Sequence, residues 1–572
     1  MRSRILPEDS EANVKSAPKE YRDFSWDSIE RQFTWHETGA INIAHESLDR
    51  WAADENKREQ TALVFEKAGK VTEFTYIQLR EITSQWANLL IEEGFTEGDR
   101  VFIFLPACPE IYFAMLACAR LGIIFSPMRS DLGFGEQEFR LQNAKPRGIV
   151  TRPDMLDMLP RHAMGSVERV FLVEGPKSDC YPNEVIIPEL LDEFPKRNAV
   201  RWVRATAPLF LIYVSGATGP PKGIVHAHMS MLGHLMTGKH VLGLDERSVV
   251  WTDGDPGSVT STVYALFAPL LCGSTTVIQG DRFAASTWYR TLEKRRVSVL
   301  YTTPRTIERL MEAGNDLARR YNFPHLTRIA TAGETLTPEQ FFWTKKVLRL
   351  APQDTWWMTE AGMICIANVP SMTTKPGSMG KTVPGIEATV LDENGEPSPV
   401  LTMGELALKA GWPSMMTGIW QDAPRYQEYF RFREWFLTGD MVTRDEDGYF
   451  FHQGRNDDLI KFGDTLVGPY EIEHILAMHP AVTEAVVIAV KPVAGRHTLK
   501  AFATLNDNFT ASARLNHEIR MFVRAHFSPE IPLASLIFLD EFPKTSSGKL
   551  LRRVLRAREL GLPSGDPLKL KE

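Results

Sequence analysis

From Thr61 onward, short apolar runs of strand character alternate with longer amphipathic ones, and this rhythm limits the fold more than any other feature of the chain. Residues 100–105 read as a strand, 109–121 as a helix, 122–127 as a strand, 134–144 as a helix and 148–151 as a strand. Such alternation favours parallel βαβ units with helices on a central sheet. It resumes with strands at 274–279, 297–303 and 328–332 and an amphipathic helix over 306–321. Two successive αβ halves are therefore expected, flanking one glycine-rich segment.

That segment is Tyr213-Val-Ser-Gly-Ala-Thr-Gly-Pro-Pro-Lys-Gly223, and the apolar run 209–213 before it reads as a buried strand. Gly216, Gly219 and Gly223 let the backbone close around an anion. Ser215 and Thr218 add hydroxyl donors, and Lys222 adds a mobile positive charge. Exposed N–H groups, little side-chain bulk and one cation are what a phosphate cradle requires. The Gly-x4-Gly-Lys-Ser/Thr spacing of nucleotide kinases is absent. Alone, the run reads equally well as a polar turn.

At 572 residues the chain is too long for one core, so at least two domains are expected. A net charge of -7 opposes a nucleic-acid role, which calls for a basic face. The five cysteines, at 108, 118, 180, 272 and 365, show no paired spacing, which argues against zinc or a disulfide framework and suits a reducing cytoplasm. The most apolar stretch, 111–125, is short for a membrane span and contains Arg120, so a buried helix running into a strand is expected. Residues 1–35 read as a polar arm, pinned by Trp26, Phe33 and Trp35.

Past Met379 short strands and turns take over: 388–391, a turn at 392–395, then 404–408, with the pattern repeated over 439–449. A last α/β unit begins near Asp458, with strands at 485–490, 499–505 and 536–539 and a helix over 512–527. A hinge is expected at 455–458.

Five further motifs accompany the loop. They are Trp35-His-Glu-Thr-Gly39, Asp354-Thr-Trp-Trp-Met-Thr-Glu360, Leu437-Thr-Gly-Asp440, Gly454-Arg-Asn-Asp-Asp-Leu-Ile-Lys461 and Pro543-Lys-Thr-Ser-Ser-Gly-Lys549. Singly, each reads as an ordinary strand end or turn. In order and spacing, over nearly the whole chain, they resemble the adenylate-forming superfamily of acyl-CoA synthetases, adenylation domains and luciferases, with acetyl-CoA synthetases the nearest likeness.

The resemblance implies an α/β fold. A large N-terminal domain of two αβ subdomains plus a small β-rich subdomain (36–456, after the arm 1–35) precedes a small mobile α/β C-terminal domain (457–572). It implies phosphate contacts from Ser215, Gly216, Thr218, Gly219 and Lys222, and an adenine-side segment Gly333, Glu334 and Thr335. Asp354, Thr355 and Trp356 would meet the nucleotide, with Trp356 against the adenine. Thr359 would touch the α-phosphate and Glu360 would hold Mg2+, relieving the repulsion that a carboxylate meets at phosphorus. Asp440, assisted by Arg455, would take the ribose hydroxyls. Asp457 would be the hinge about which the C-terminal domain turns between two half-reactions, and Lys549 the catalytic lysine of the first. Val259, Thr260, Ala332 and Trp357 match the acyl pocket. Trp357 stands where relatives with larger substrates carry glycine, so a short acid is expected. Ala332 and Ser258 are smaller than the usual valine and tryptophan, and a methylene discriminates by only about 1–3 kcal/mol, so propionate and butyrate remain beside acetate.

The chain also departs from the pattern. Val214 and Ala217 replace two hydroxyl residues of the phosphate loop, and Ser261 replaces a glycine. On the CoA side, Asp464 stands where a glycine lines the thioester tunnel, unless a one-residue slip gives Gly463 that place. Leu466 replaces an arginine. The expected activity is an AMP-forming ligase using ATP, Mg2+ and CoA on a short-chain acid, in the cytoplasm, with no nucleic-acid or membrane partner. A lysine acetyltransferase acting on Lys549 is a further expected partner. Adenylation with another acceptor, or nucleotide binding without turnover, are the alternatives that these departures leave open.

Overall fold

The computed structural model describes residues 24–175, 183–214, 220–456, 460–462, 465–467, 469–493, 496–526, 533–544 and 550–560. The chain folds as two units, one drawn from Met1–Glu387 and Lys409–Glu434, the other from Ala388–Leu408 and Trp435–Glu572.

The first unit is built on two large sheets. Among the described residues, one has eight strands in the order Gly418–Ile419, Lys222–Ala227, Pro208–Val214, Ile124–Met128, Arg100–Phe104, Gly148–Thr151, Arg169–Leu172 and Glu184–Ile186. Its middle strands run parallel, as the sequence rhythm predicts, and all four residues of Gly148–Thr151 are buried. The hairpin of Pro208–Val214 with Lys222–Ala227 is antiparallel. The other sheet has nine strands: Lys381–Thr382, Ile366–Ala367, Gln353–Trp356, Arg328–Thr331, Val299–Thr302, Val249–Thr252, Thr275–Gln279, Thr61–Lys67 and Lys70–Thr75. The two halves are thus present but not strictly successive. Thr61–Lys67 lies parallel to Thr275–Gln279, and Val64 packs in one cluster with Trp251 and Val277. Apolar complementarity across the sheet outweighs nearness in sequence.

Local chemistry sets the helix ends. Tyr76–Glu92 starts on a capping box of Thr75 and Gln78. Pro109–Leu121 has proline in its first turn and ends on Gly122 at φ +70°, a backbone angle that favours glycine. Every residue of this helix except Glu110 is buried, Arg120 included. The Arg120 guanidinium donates to both oxygens of Asp49 at 2.5 and 2.8 Å and to the Asn198 carbonyl at 3.2 Å, which is how the most apolar stretch accommodates a cation. No helix among the described residues is long and apolar enough to cross a membrane. The helix expected over 306–321 is instead two, Pro304–Glu312 and Asn315–Ala318, because Gly314 at φ +84° resets the backbone between them. Phe33 is buried, and Trp26 and Trp35 are half-buried, at the start of the first unit.

The second unit contains an antiparallel sheet ordered Ala388–Leu391, Gly404–Lys409, Trp435–Arg444 and Phe450–Arg455. A separate sheet joins Val482–Val493, Arg496–Leu505 and Leu533–Phe538. Ile472 and Leu476 of the helix Pro469–Ala477, and Ile519 and Val523 of Ala513–His526, share one apolar cluster with Val487 and Ala501 of that sheet. The strands expected at 485–490 and 499–505 are both longer than the sequence suggested, because they pair with each other.

Candidate active site

In chain order the glycine-rich segment links the two strands of the antiparallel hairpin Pro208–Val214 and Lys222–Ala227 in the first unit. Val214 ends one strand directly opposite Lys222, which opens the other. Ser215, Gly216, Thr218 and Gly219 lie outside the described residues, as do Asp457, Gly463, Asp464 and Lys549. Lys222 and His226, four residues apart on one strand, point to the same face.

The segment 354–360 leaves the end of the strand Gln353–Trp356 and is held by a directed chain of hydrogen bonds. The Trp357 indole N–H donates to the Tyr301 hydroxyl at 3.0 Å. Tyr301 in turn lies 2.8 Å from Thr355 Oγ1, and the Thr355 hydroxyl donates to the Thr331 carbonyl at 2.8 Å. With both ends committed, Tyr301 donates to Thr355, and every proton has one direction. Tyr264 closes the indole from the side, its ring 5.1 Å away at 85°, and is itself fixed by the Ile364 N–H at 2.7 Å. Trp357 is therefore held on two sides. Val259 and Thr260 lie in the short helix Val259–Ser261 that leads into Tyr264, and Ala332 is buried at the end of the strand Arg328–Thr331.

Ser258 and Ser261 prove to be partners. Ser258 caps the short helix by accepting the Ser261 N–H at 3.2 Å and donates its hydroxyl to Ser261 Oγ at 3.2 Å. Gly257 is required just before them, since a Cβ there would fall 2.5 Å from the Met128 carbonyl oxygen. Asp354 is buried and accepts the Thr331 hydroxyl at 2.9 Å; burial pushes its carboxyl up to about 7, against the opposing pull of that bond and of backbone N–H groups. Trp356 is buried, Thr335 half-buried, Glu334 exposed, and Gly333 turns the backbone at φ +97°.

Thr359 and Glu360 begin a 3-10 turn that ends on Gly362 at φ +71°. The Thr359 carbonyl faces His226 Nε2 at 2.7 Å, while His226 Nδ1 faces the Ser414 carbonyl at 3.1 Å. Burial lowers His226 to about 4, so its ring is neutral near pH 7 and donates to only one of the two. The Glu360 carboxylate, 7% exposed, accepts the Tyr429 hydroxyl on Oε1 at 2.8 Å. Lys222, 19% exposed, donates to that same hydroxyl at 2.5 Å and lies 3.8 Å from Oε1.

In the second unit, Asp440 and Arg455 are cross-strand neighbours, with Arg455 Nη1 donating to Asp440 Oδ1 at 2.8 Å and to the Thr438 carbonyl at 3.1 Å. Gly439 sits at φ +75°, and a Cβ there would fall 2.7 Å from Arg455 Nη2.

Sequence reasoning missed Tyr301, Tyr264, His226 and Tyr429. The first two read as core aromatics, and nothing in their spacing announces a partner on another strand. Tyr429 lies in an aromatic run, Tyr426-Gln-Glu-Tyr-Phe430, which carries no motif.

A family model described as "AMP-binding enzyme" matches residues 48–420, and its companion, "AMP-binding enzyme C-terminal domain", matches residues 471–549. An acetyl-coenzyme A synthetase of Bacillus subtilis (strain 168) is 40% identical over 568 residues, covering 99% of each chain. One from Methanothrix thermoacetophila is 34% identical over 93% of this chain and 85% of its own. Among solved structures, a Brucella canis acyl-CoA synthetase superposes with a TM-score of 0.74 at 26% identity, covering 95% of this chain and 98% of its own. An anthranilate CoA ligase in complex with anthranoyl-AMP does so with a TM-score of 0.81 at 26% identity, covering 91% of this chain and 98% of its own. With a family model matched over residues 48–420 and a relative 40% identical over the whole chain, the chain belongs to the AMP-binding enzyme family.

Proposed function

We propose that the protein is an ATP-dependent, AMP-forming ligase that joins a short-chain acid, acetate or propionate in size, to coenzyme A. The observation that carries this reading is the clamped indole of Trp357, in a chain 40% identical from end to end to an acetyl-coenzyme A synthetase. A wall held by Tyr301 and Tyr264 cannot swing aside for a long acyl chain. In the first half-reaction a carboxylate oxygen attacks the α-phosphorus and the bond to pyrophosphate breaks. In the second, the thiol sulfur attacks the acyl carbon, the bond to AMP breaks, and the thiol proton leaves to solvent.

The same reading assigns roles. Lys222 and the glycine-rich segment, with Ser215, Gly216, Thr218 and Gly219, hold phosphates. Thr359 meets the α-phosphate, and the His226 contact to its carbonyl supports its position. Gly333, Glu334, Thr335, Asp354, Thr355 and Trp356 form the nucleotide wall, and Asp440 takes the ribose with Arg455 steadying it. Val259, Thr260, Ala332 and Trp357 line the acyl pocket, Gly463 or Asp464 the thiol side, and Lys549 is the lysine of the first half-reaction. We place the body at 36–456, a mobile domain at 457–572 and the hinge at Asp457; the family models end at 420 and resume at 471, which supports a division between those two positions. We place the protein in the cytoplasm and retain Lys549 as a site for a lysine acetyltransferase, since acetylation would remove its charge.

Among the described residues no three His, Cys, Asp or Glu side chains form a metal cage. Mg2+ does not require one, since it is commonly held by one or two carboxylates together with substrate phosphates and water. Glu360 fits that demand: its carboxylate is buried and already faces a hydroxyl and an ammonium. When bound, Mg2+ would offset phosphate charge.

Purified protein incubated with ATP, Mg2+ and C2–C6 acids, with and without CoA, tests the reading. Pyrophosphate with every productive acid, and acyl-CoA only when CoA is present, is the expected result. Pyrophosphate release with none of the acids would refute it. Adenylate without thioester would replace CoA by another acceptor and implicate Asp464.

A further inference from the structure

Lys222 and Glu360 carry opposite charges, are both largely buried, and yet do not touch. Their closest atoms, Nζ and Oε1, are 3.8 Å apart, beyond hydrogen-bond reach. Between them stands the Tyr429 hydroxyl, accepting from the ammonium and donating to the carboxylate. The ammonium also lies 4.9 Å from the centroid of the Tyr429 ring. Tyr429 reaches this position because the strand Gly418–Ile419 pairs with Lys222–Ala227 and the chain then turns back over it. Arg425 Nη1 ties the returning segment to the Pro220 carbonyl at 3.0 Å.

We propose that Tyr429 is a positioning residue of the adenylating site: its hydroxyl is a wedge that keeps Lys222 and Glu360 from collapsing into a direct ion pair. The inference rests on the ligase reading above. A direct ammonium–carboxylate contact in so dry a place would be short and strong. It would commit the Lys222 charge before phosphate arrives, and cover the Glu360 oxygen before a metal does. The hydroxyl satisfies both charges through one neutral group. Phosphate and metal then displace hydrogen bonds to a neutral hydroxyl rather than a direct ion pair, and the hydroxyl can turn to whichever partner remains.

The test uses full-length protein and the Tyr429→Phe variant, which keeps the ring beside the ammonium and removes only the oxygen. ATP affinity is measured directly by calorimetry, in EDTA and in saturating Mg2+, beside pyrophosphate release with acetate. Tyr429→Phe is expected to weaken ATP binding in Mg2+ by about tenfold, equivalent to about 1.4 kcal/mol. Its KM for ATP should rise to match, with kcat at saturation little changed and an unaltered melting temperature. In a Lys222→Met background, where no ion pair can form, the same substitution should have no further effect on ATP affinity, an outcome that a merely structural role would not give. Unchanged or tighter ATP binding by Tyr429→Phe overturns the wedge, as does an equal effect with and without Lys222. Wild-type protein that binds no ATP sinks the ligase reading itself, and the wedge with it; tight wild-type binding with an indifferent Tyr429→Phe sinks the wedge alone.

Discussion

Replacing Trp357 with glycine removes an indole held by Tyr301 and Tyr264, and its consequences can be worked out. The variant loses one hydrogen bond to Tyr301 and the edge-on packing against Tyr264. Full truncation of a buried Trp costs about 3–5 kcal/mol, and Trp357 is only half-buried, so a loss near or below the lower end is expected. Tyr301 keeps its bond to Thr355, so the strand end should hold. The space opened is apolar on the Tyr264 side. Each methylene newly buried there contributes about 0.8 kcal/mol, so the four that separate hexanoate from acetate contribute about 3 kcal/mol, on the order of a hundredfold. The assay is kcat/KM from pyrophosphate release across C2–C8 acids, with circular dichroism to establish folding. The hexanoate-to-acetate ratio should rise by about that factor while acetate itself falls. A folded variant whose ratio stays within about threefold of wild type would mean that Trp357 does not face the acid, and the pocket assignment would fail.

Other expectations concern stability and the half-reactions. Asp253, buried beneath Trp288 and Thr302, has its carboxyl pushed up to about 7 by burial, from an ordinary 3.8. Between those values the native state binds more protons than the unfolded one, so this group's contribution to stability is present below about pH 4 and lost as pH rises through 7. Asp253→Asn should remove that slope, worth up to about 4 kcal/mol across the window; denaturant melts at pH 5 and 8 that shift equally in variant and wild type would disprove it. His226, His228 and His234, lowered by burial to about 4, 3 and 3, act in the opposite sense: the unfolded state binds the extra protons, and stability falls as pH drops below about 6.5. Gly362→Ala should destabilise the first unit by roughly 3 kcal/mol or more, since its Cβ would fall 2.0 Å from the Ser414 carbonyl oxygen at a φ of +71°. An unshifted thermal melt would contradict this. Lys549→Ala should slow adenylate formation by roughly a hundredfold or more while sparing thioester formation from supplied acyl-adenylate; equal loss in both steps, followed separately by pyrophosphate and thioester release, would remove Lys549 from its role.

Much of this was legible in the sequence. Periodicity and glycine placement located the strands over 100–104 and 148–151 and the helices over 109–121 and 134–144, because those elements are set by local pattern and by end signals such as Pro109 and Gly122. The helix over 306–321 was misjudged where amphipathicity was weighed above Gly314, a single residue whose backbone freedom breaks it. The segment 354–360 is a strand entering a turn, as its sequence reads, whereas Lys222, read as part of a loop, opens a strand.

What only the tertiary structure decided is who meets whom. Thr61–Lys67 joins a sheet with Thr275–Gln279, Trp357 finds Tyr301, and Tyr429 comes between Lys222 and Glu360. The sequence by itself determined the catalogue of chemical groups and the local geometry that presents them, since φ preferences and side-chain period act over a few residues. Long-range pairing depends instead on apolar surfaces and hydrogen-bond donors finding complements anywhere along the chain. That is a property of the packed whole, and it is what brings Lys222, Tyr429 and Glu360 together from three separate segments.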